Sequence, residues 1–299
     1  MCGIFGIINY GNNTYSKAEA FRNAVRELLI ESQMRGTDAA GLCVVTQDRA
    51  AVFKDRVRAE MFIREAPYSS IVGHIHHNRP FRAVIGHTRA QTKGDRKFNV
   101  NNHPIVAGNI IGVHNGMISN DDMLFKKYEG KIHRAGQVDS EIIFRLIDHL
   151  IKEGKTIVDA TKETIGMVFG SARCAFVNTK NLKYVTIFAD YDLPVWIYKH
   201  VDTMVFASTT HILGKAMEKT GGVLTPQYRT GEFDVRGGLA RIDTDNGKVY
   251  QEKITGFGSS YSAYGNHGTT PANMRRCQTC ELTGYGCGGD AAYCQYCEM

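Results

Sequence analysis

The sequence predicts an α+β fold in which largely antiparallel sheets are layered with helices, and three observations carry that prediction. Strand-like and helix-like segments follow one another in mixed order, without the strict strand–helix–strand alternation that a parallel sheet needs. Polar turns such as Gln47-Asp48-Arg49 and Asp245-Asn246-Gly247 stand between neighbouring strand-like runs. Of the 299 residues 43% are hydrophobic and 22% charged, which suits one sizeable core, or a large domain with a small one, and excludes global disorder.

Taken in order, Gly3–Asn9 reads as a buried, glycine-punctuated strand. Residues 16–34 carry a helical stripe of Phe21, Val25, Leu28, Leu29 and Met34. Arg35 to Gly41 breaks that stripe, and strands are expected at 41–47, 50–54 and 82–88. Residues 105–113 suggest a further strand, folded into a hairpin around Gly108-Asn109. The run 140–152 has a wide apolar helical face, and 157–167 a weaker one. Strands follow near 172–178, 183–188, 195–199 and 204–207, then a helix near 211–219 and a hairpin over 239–254. Composition changes after residue 255, so the expected organisation is a domain at 1–255, a Gly/Ser/Tyr-rich linker at 256–276 and a cysteine-rich module at 277–299.

The formal net charge of +6 permits an acidic partner or nucleic acid without requiring either. No apolar run is long enough to span a membrane, and Gly3–Asn9 is too short for a secretory signal. Eight cysteines without such a signal point to the reducing cytoplasm, with thiols or metal sites in place of disulfides.

Cys2 directly follows Met1, and a small second residue favours removal of Met1. The exposed cysteine would then carry a thiol and a free α-amine, whose reference pKa of about 7.7–8.0 lets it act as a base for the thiol. Four further segments stand in order behind it: Arg35-Gly36-x-Asp38-x-x-Gly41, Gly86-His87-Thr88-Arg89, His114-Asn115-Gly116 and Asp139-Ser140-Glu141. Singly each has an ordinary reading: Asn-Gly a turn, Arg89 a surface ion pair, Asp139 a helix N-cap. Together, over about residues 1–210, they resemble the glutaminase domain of class II glutamine amidotransferases.

That resemblance implies a four-layer αββα sandwich of the amino-terminal-nucleophile (Ntn) hydrolase type. It implies L-glutamine as substrate, Cys2 as nucleophile, and the Asn115 side-chain amide with the Gly116 N–H as donors to the oxyanion. It further implies that Arg89 takes the α-carboxylate of free glutamine, Asp139 the α-amino group, and the Thr92–Gly94 loop gives backbone contacts. Arg35 and Asp38 are expected to buttress the first strand as a buried pair. The chain departs from the family at Ala90, where many members have an aromatic residue, and at Lys93, where several have histidine. It departs again at Ala189-Asp190 and after Ala207-Ser208-Thr209, positions expected to be structural.

Two motifs lie outside the resemblance. Gly73-His74-Ile75-His76-His77-Asn78 gathers three histidines, and lacking a nearby carboxylate or cysteine it reads as a polar loop ahead of a metal site. Cys277-x-x-Cys280 and Cys294-x-x-Cys297, thirteen residues apart, have the form of a structural Zn²⁺ site, with Cys287 a spare thiol or alternative ligand. The glutaminase chemistry itself calls for no cofactor. Residues 256–299 hold two arginines, no lysine and three acidic residues, a net −1, so protein docking is favoured over nucleic-acid binding. With no synthase signature in the chain, ammonia is expected to pass to a separate synthase subunit. The rival readings are an Ntn-type amidase acting on another amide and a non-catalytic, zinc-bearing adaptor.

Overall fold

A computed structural model of the chain describes residues 1–77, 81–220 and 231–254. One sheet contains β1 (Gly3–Asn9), β2 (Ala39–Thr46), β3 (Ala50–Asp55), β4 (Phe81–Arg89), β9 (Val195–Lys199), β10 (Thr203–Ala207) and β11 (Gly231–Val235), in the order β11-β9-β10-β1-β4-β2-β3. The other contains β5 (Ile105–Ala107), β6 (Ile110–Ile118), β7 (Gly170–Asn178), β8 (Asn181–Ala189), β12 (Gly238–Asp243) and β13 (Val249–Lys253), ordered β13-β12-β8-β7-β6-β5. Every strand pairing described is antiparallel.

The sheets stack face to face with helices outside both. Ile4, Ile8, Cys43, Ile85, Val113, Val177, Ile187 and Phe206 fill the space between them. Phe5, Ile7 and Val84 instead face α1 (Tyr15–Ser32) and α7 (Thr210–Thr220) through Phe21, Leu28 and Leu213. On the opposite outer face, Phe176 and Phe188 meet Ile142, Leu146 and Phe144 of α5 (Ser140–Lys152), beside α6 (Ile157–Met167). This is the expected four-layer αββα arrangement. It explains why β1 is apolar at successive positions: successive side chains point to opposite faces, and both faces of a central layer are buried.

Most strand and long-helix boundaries fall within two or three residues of the sequence expectation, and the hairpin around Gly108-Asn109 forms as β5–β6. α1 opens where the Thr14 hydroxyl accepts the Lys17 N–H, and it ends at Ser32, earlier than expected. Met34 falls in a 3-10 turn, whose tighter winding takes it off the apolar stripe, and it is exposed. The sequence reading passed over α2 (Ala59–Phe62), α3 (Ala66–Val72), α4 (Asp121–Lys127) and β11. Helices this short have no stability of their own and exist by packing. Among the described residues no helix is long and apolar enough to cross a membrane. The proposed linker at 256–276 and the cysteine module at 277–299 lie outside the described residues.

Candidate active site

Cys2 lies at the head of β1, the middle strand of its sheet, and β4 runs antiparallel beside it with Gly3 opposite Thr88. That register brings the end of β4 to the cysteine. The Ala90 N–H donates to Cys2 Sγ at 3.3 Å, and Sγ lies 3.4 Å from the Ala90 carbonyl. Burial raises the Cys2 thiol pKa above its ordinary value, against the opposing pull of the Ala90 N–H, the chain terminus and the Arg89 and Arg35 cations. The thiol is therefore held neutral until a base takes its proton. Met1 is present and half exposed, so the nitrogen of Cys2 is here a peptide nitrogen.

Two donors from distant parts of the chain fix the Cys2 backbone. Arg35 Nε donates to the Cys2 carbonyl at 2.9 Å, and Asn115 Nδ2 donates to the same oxygen from β6 of the opposite sheet. Asn115 is buried and has a second N–H bond besides. Gly116 follows at φ +150, where a Cβ would lie 2.0 Å from the Ser171 carbonyl. Along this edge the His114 carbonyl accepts from His87 Nε2, and the Ile118 N–H donates to Asp139 Oδ2 at 2.7 Å. Strand alternation puts the Gly116 N–H on that same edge, between those two groups and beside Asn115.

Arg89 and Asp139, both 2% exposed, complete the cluster. Arg89 Nη1 donates to Asn102 Oδ1 at 2.7 Å, and Nη2 donates to the carbonyls of Lys93 (2.8 Å) and Gly94 (2.6 Å). Asp139 occupies the N-cap position of α5, yet its side chain makes no capping bond, because the carboxylate turns to the Ile118 N–H. Thr92 is exposed on the loop after β4.

The expected Arg35–Asp38 pair takes another form. Arg35 is buried against Cys2, whereas Asp38 is half exposed, pairs with Arg96 at 2.9 Å and accepts the Gln91 N–H at 2.7 Å. Gly36 explains itself sterically, since a Cβ there would lie 2.3 Å from the Arg89 carbonyl carbon. Ser208 and Asp190 are structural, as expected: Ser208 Oγ accepts the Ile4 N–H, and Asp190 accepts from Ala172 and Leu193.

Several supporting residues were not singled out from sequence. Arg173, paired in register with Asn115, donates to the carbonyls of Ser208 and Pro194 and so ties β7 to the end of β10. Lys54 donates to the carbonyls of Asn102 and Pro104 at 2.6 and 2.9 Å, and burial lowers its ammonium pKa to about 8. His87 stacks on His103 at 4.1 Å, and His114 Nδ1 lies 2.7 Å from Ser140 Oγ. All three imidazoles are buried and held neutral by desolvation, His87 with its pKa lowered to about 3. His87 and His114 stand in two of the motif segments read from the sequence, without a role assigned there, whereas His103, Lys54 and Arg173 stand in none. Among the described residues no group of three His, Cys, Asp or Glu could hold a metal, and His77 packs edge-on against Tyr15 at 5.4 Å. Cys277, Cys280, Cys287, Cys294 and Cys297 lie outside the described residues.

No protein-family model matches the chain. In sequence it is similar to the glutamine–fructose-6-phosphate aminotransferase (isomerizing) of Helicobacter pylori, 29% identical over 220 residues that cover 73% of this chain and 34% of that protein. The protein of the same name from Staphylococcus epidermidis is 30% identical over 192 residues, 62% of this chain and 29% of its own length. The chain thus spans about a third of the curated relatives it matches. In fold it is similar to a glutamine phosphoribosylpyrophosphate amidotransferase from B. subtilis, solved with ADP and GMP, with a TM-score of 0.57, 19% identity, and 85% and 49% of the two chains covered. An allosteric regulatory enzyme of purine biosynthesis superposes with a TM-score of 0.61 at 20% identity and the same coverage.

Proposed function

We propose that this chain, similar in sequence to glutamine–fructose-6-phosphate aminotransferases and in fold to a glutamine phosphoribosylpyrophosphate amidotransferase, is a class II, amino-terminal-nucleophile glutaminase that hydrolyses L-glutamine to glutamate and ammonia through a thioester on Cys2. The observation that carries the reading is the meeting of Cys2, from the first sheet, with Asn115 and the Gly116 edge, from the second, beside Arg89 and Asp139.

With Met1 removed, the freed Cys2 amine takes the thiol proton, and Sγ attacks the carboxamide carbon. Charge then gathers on the carboxamide oxygen, where the spare Asn115 N–H and the Gly116 N–H receive it. The C–N bond breaks, the Cys2 amine returns the proton to the departing nitrogen, and ammonia leaves. Water attacks the γ-glutamyl thioester, which releases glutamate and restores the thiol. Arg89 and Asp139 recognise the α-carboxylate and α-amino groups of free glutamine, and Thr92 belongs to the loop that covers them. Water exclusion by that loop preserves the ammonia.

Ammonia made here is consumed by a synthase on a separate subunit, and the site acts in the cytoplasm. The C-terminal Cys277, Cys280, Cys294 and Cys297 hold a structural Zn²⁺ that braces a protein-docking module. Protein with Met1 removed should release glutamate from glutamine, alone or with its partner, and Cys2→Ala should not. Equal release, or none from either, overturns the reading. Elemental analysis of the full chain should find about one zinc per chain, lost in a Cys277→Ser, Cys280→Ser variant; a zinc-free full chain removes the metal site.

A further inference from the structure

Arg89, the residue placed on the substrate carboxylate, is spent on the protein's own loop. A carboxylate grips guanidinium with two parallel bonds, using either both terminal nitrogens or Nε with Nη2. Both arrangements need Nη2, and its two N–H bonds already go to the carbonyls of Lys93 and Gly94. Those two oxygens therefore occupy both N–H groups of the one nitrogen that either carboxylate arrangement requires.

The loop that carries them is fastened at two ends. Its far half is held by Asp38 on Arg96, by Asn102 Nδ2 on the Arg96 carbonyl and by Asn101 Nδ2 on the Asp95 carbonyl. Its near half is held through Lys93, whose ammonium reaches both oxygens of Asp121 (2.8 and 2.7 Å) and one of Asp122 (2.9 Å). Asp121 is 1% exposed and also takes Arg134 Nη2 at 3.2 Å, while the Arg134 guanidinium lies over the Phe125 ring at 4.7 Å. The anion is therefore fixed in place, and the cation on the loop is the partner free to leave.

We propose that Lys93 and Asp121 form a latch that keeps the Lys93 and Gly94 carbonyls on Arg89 in place of the substrate carboxylate, so that free glutamine enters only when the ion pair opens. The proposal rests on the glutaminase reading. Lys93 and Asp121 are positioning residues that act through Arg89. Opening exchanges two neutral acceptors for a carboxylate, which binds guanidinium more strongly, so substrate offsets the cost of breaking the latch. The latch sets how much glutamine is needed, and the chemistry at Cys2 is untouched.

Wild type, Lys93→Met and Lys93→Arg separate the possibilities. Glutamate release is measured against glutamine at low and high salt, together with amide hydrogen exchange over residues 91–98. Lys93→Met should lower KM by about threefold to tenfold with kcat within about twofold, the scale of one partly buried ion pair. Its Gly94 and Asp95 amides should exchange faster. Wild-type KM should fall as salt rises, because Lys93 is 38% exposed and its pairing is screened, and Lys93→Met should lose that response. Lys93→Arg should keep the wild-type KM and exchange rates. A Lys93→Met protein whose KM is unchanged or raised overturns the latch and leaves the glutaminase reading standing. A wild type that releases no glutamate overturns that reading, and the latch with it.

Discussion

Asn115 on the second sheet donates its side-chain amide to the main-chain carbonyl of Cys2 at the head of the first. One hydrogen bond thus sets the spacing of the two sheets at the thiol, and one N–H bond on the same nitrogen remains for an oxyanion. Arg35 holds the same carbonyl from a second direction, so the cysteine is fixed before substrate arrives.

Asn115→Ala should therefore lower kcat for glutamine by about 10²–10³ with a small change in KM, the usual cost of a lost oxyanion donor. Cys2 in that variant should still be labelled by 6-diazo-5-oxonorleucine. A kcat within a fewfold of wild type would remove Asn115 from the oxyanion site.

Gly116→Ala meets two obstacles at once. The backbone lies at φ +150, and the new Cβ would sit 2.0 Å from the Ser171 carbonyl across the β6–β7 ladder. The positive φ alone costs about 1–3 kcal/mol, so urea unfolding should show a loss of at least that size. Glutaminase activity should fall with it, because the N–H aimed along the β6 edge must turn.

Stability should fall as acid is added from neutral pH. His87, His103 and His114 are buried neutral, with folded pKa values below the ordinary 6.5 and that of His87 lowered to about 3. Below pH 6.5 the unfolded chain takes up protons that the folded chain refuses, so stability is lost as pH falls from there toward the folded values. Each histidine contributes up to about 1.4 kcal/mol per pH unit. Urea midpoints at pH 7, 6 and 5 should decline steadily, and His87→Gln, which keeps a donor for the His114 carbonyl, should flatten the slope.

The thiols titrate in the opposite sense. Burial raises Cys2, and pushes Cys43 up to about 12. Iodoacetamide should modify Cys2 slowly at pH 8 while Met1 is present, faster as the pH is raised further, and faster at pH 8 once Met1 is removed. Cys43 and Cys174, both fully buried, should stay unmodified in the folded protein. Peptide mapping by mass spectrometry reads all three. Equal labelling with and without Met1 would mean that the amine does not activate the thiol.

The sequence by itself determined the mixed α+β class and most of the elements, and its resemblance to a family supplied the layer order and the candidate site residues. β1 is apolar at successive positions, and the 140–152 stripe is wide, because these patterns depend on local periodicity, which any central strand or outer helix must show. The steric demands behind Gly36 and Gly116 were legible as motif glycines, although their reason, contact with Arg89 and with Ser171, was not.

Tertiary structure decided how those residues are used. Cys2 meets Asn115 across 113 positions, Asp38 pairs with Arg96 in place of Arg35, and Arg173 reaches Ser208 across 35. The four-residue helix α2 and the seven-residue helices α3 and α4 form only by packing. Lys93 could be seen as a departure from the family the chain resembles, but its partner Asp121 lies in one of those short helices. Periodicity reports which face of an element is buried. Which polar group meets which is set by chain closure, and only the folded backbone brings Cys2, Asn115, Arg89 and the loop at Lys93 to one place.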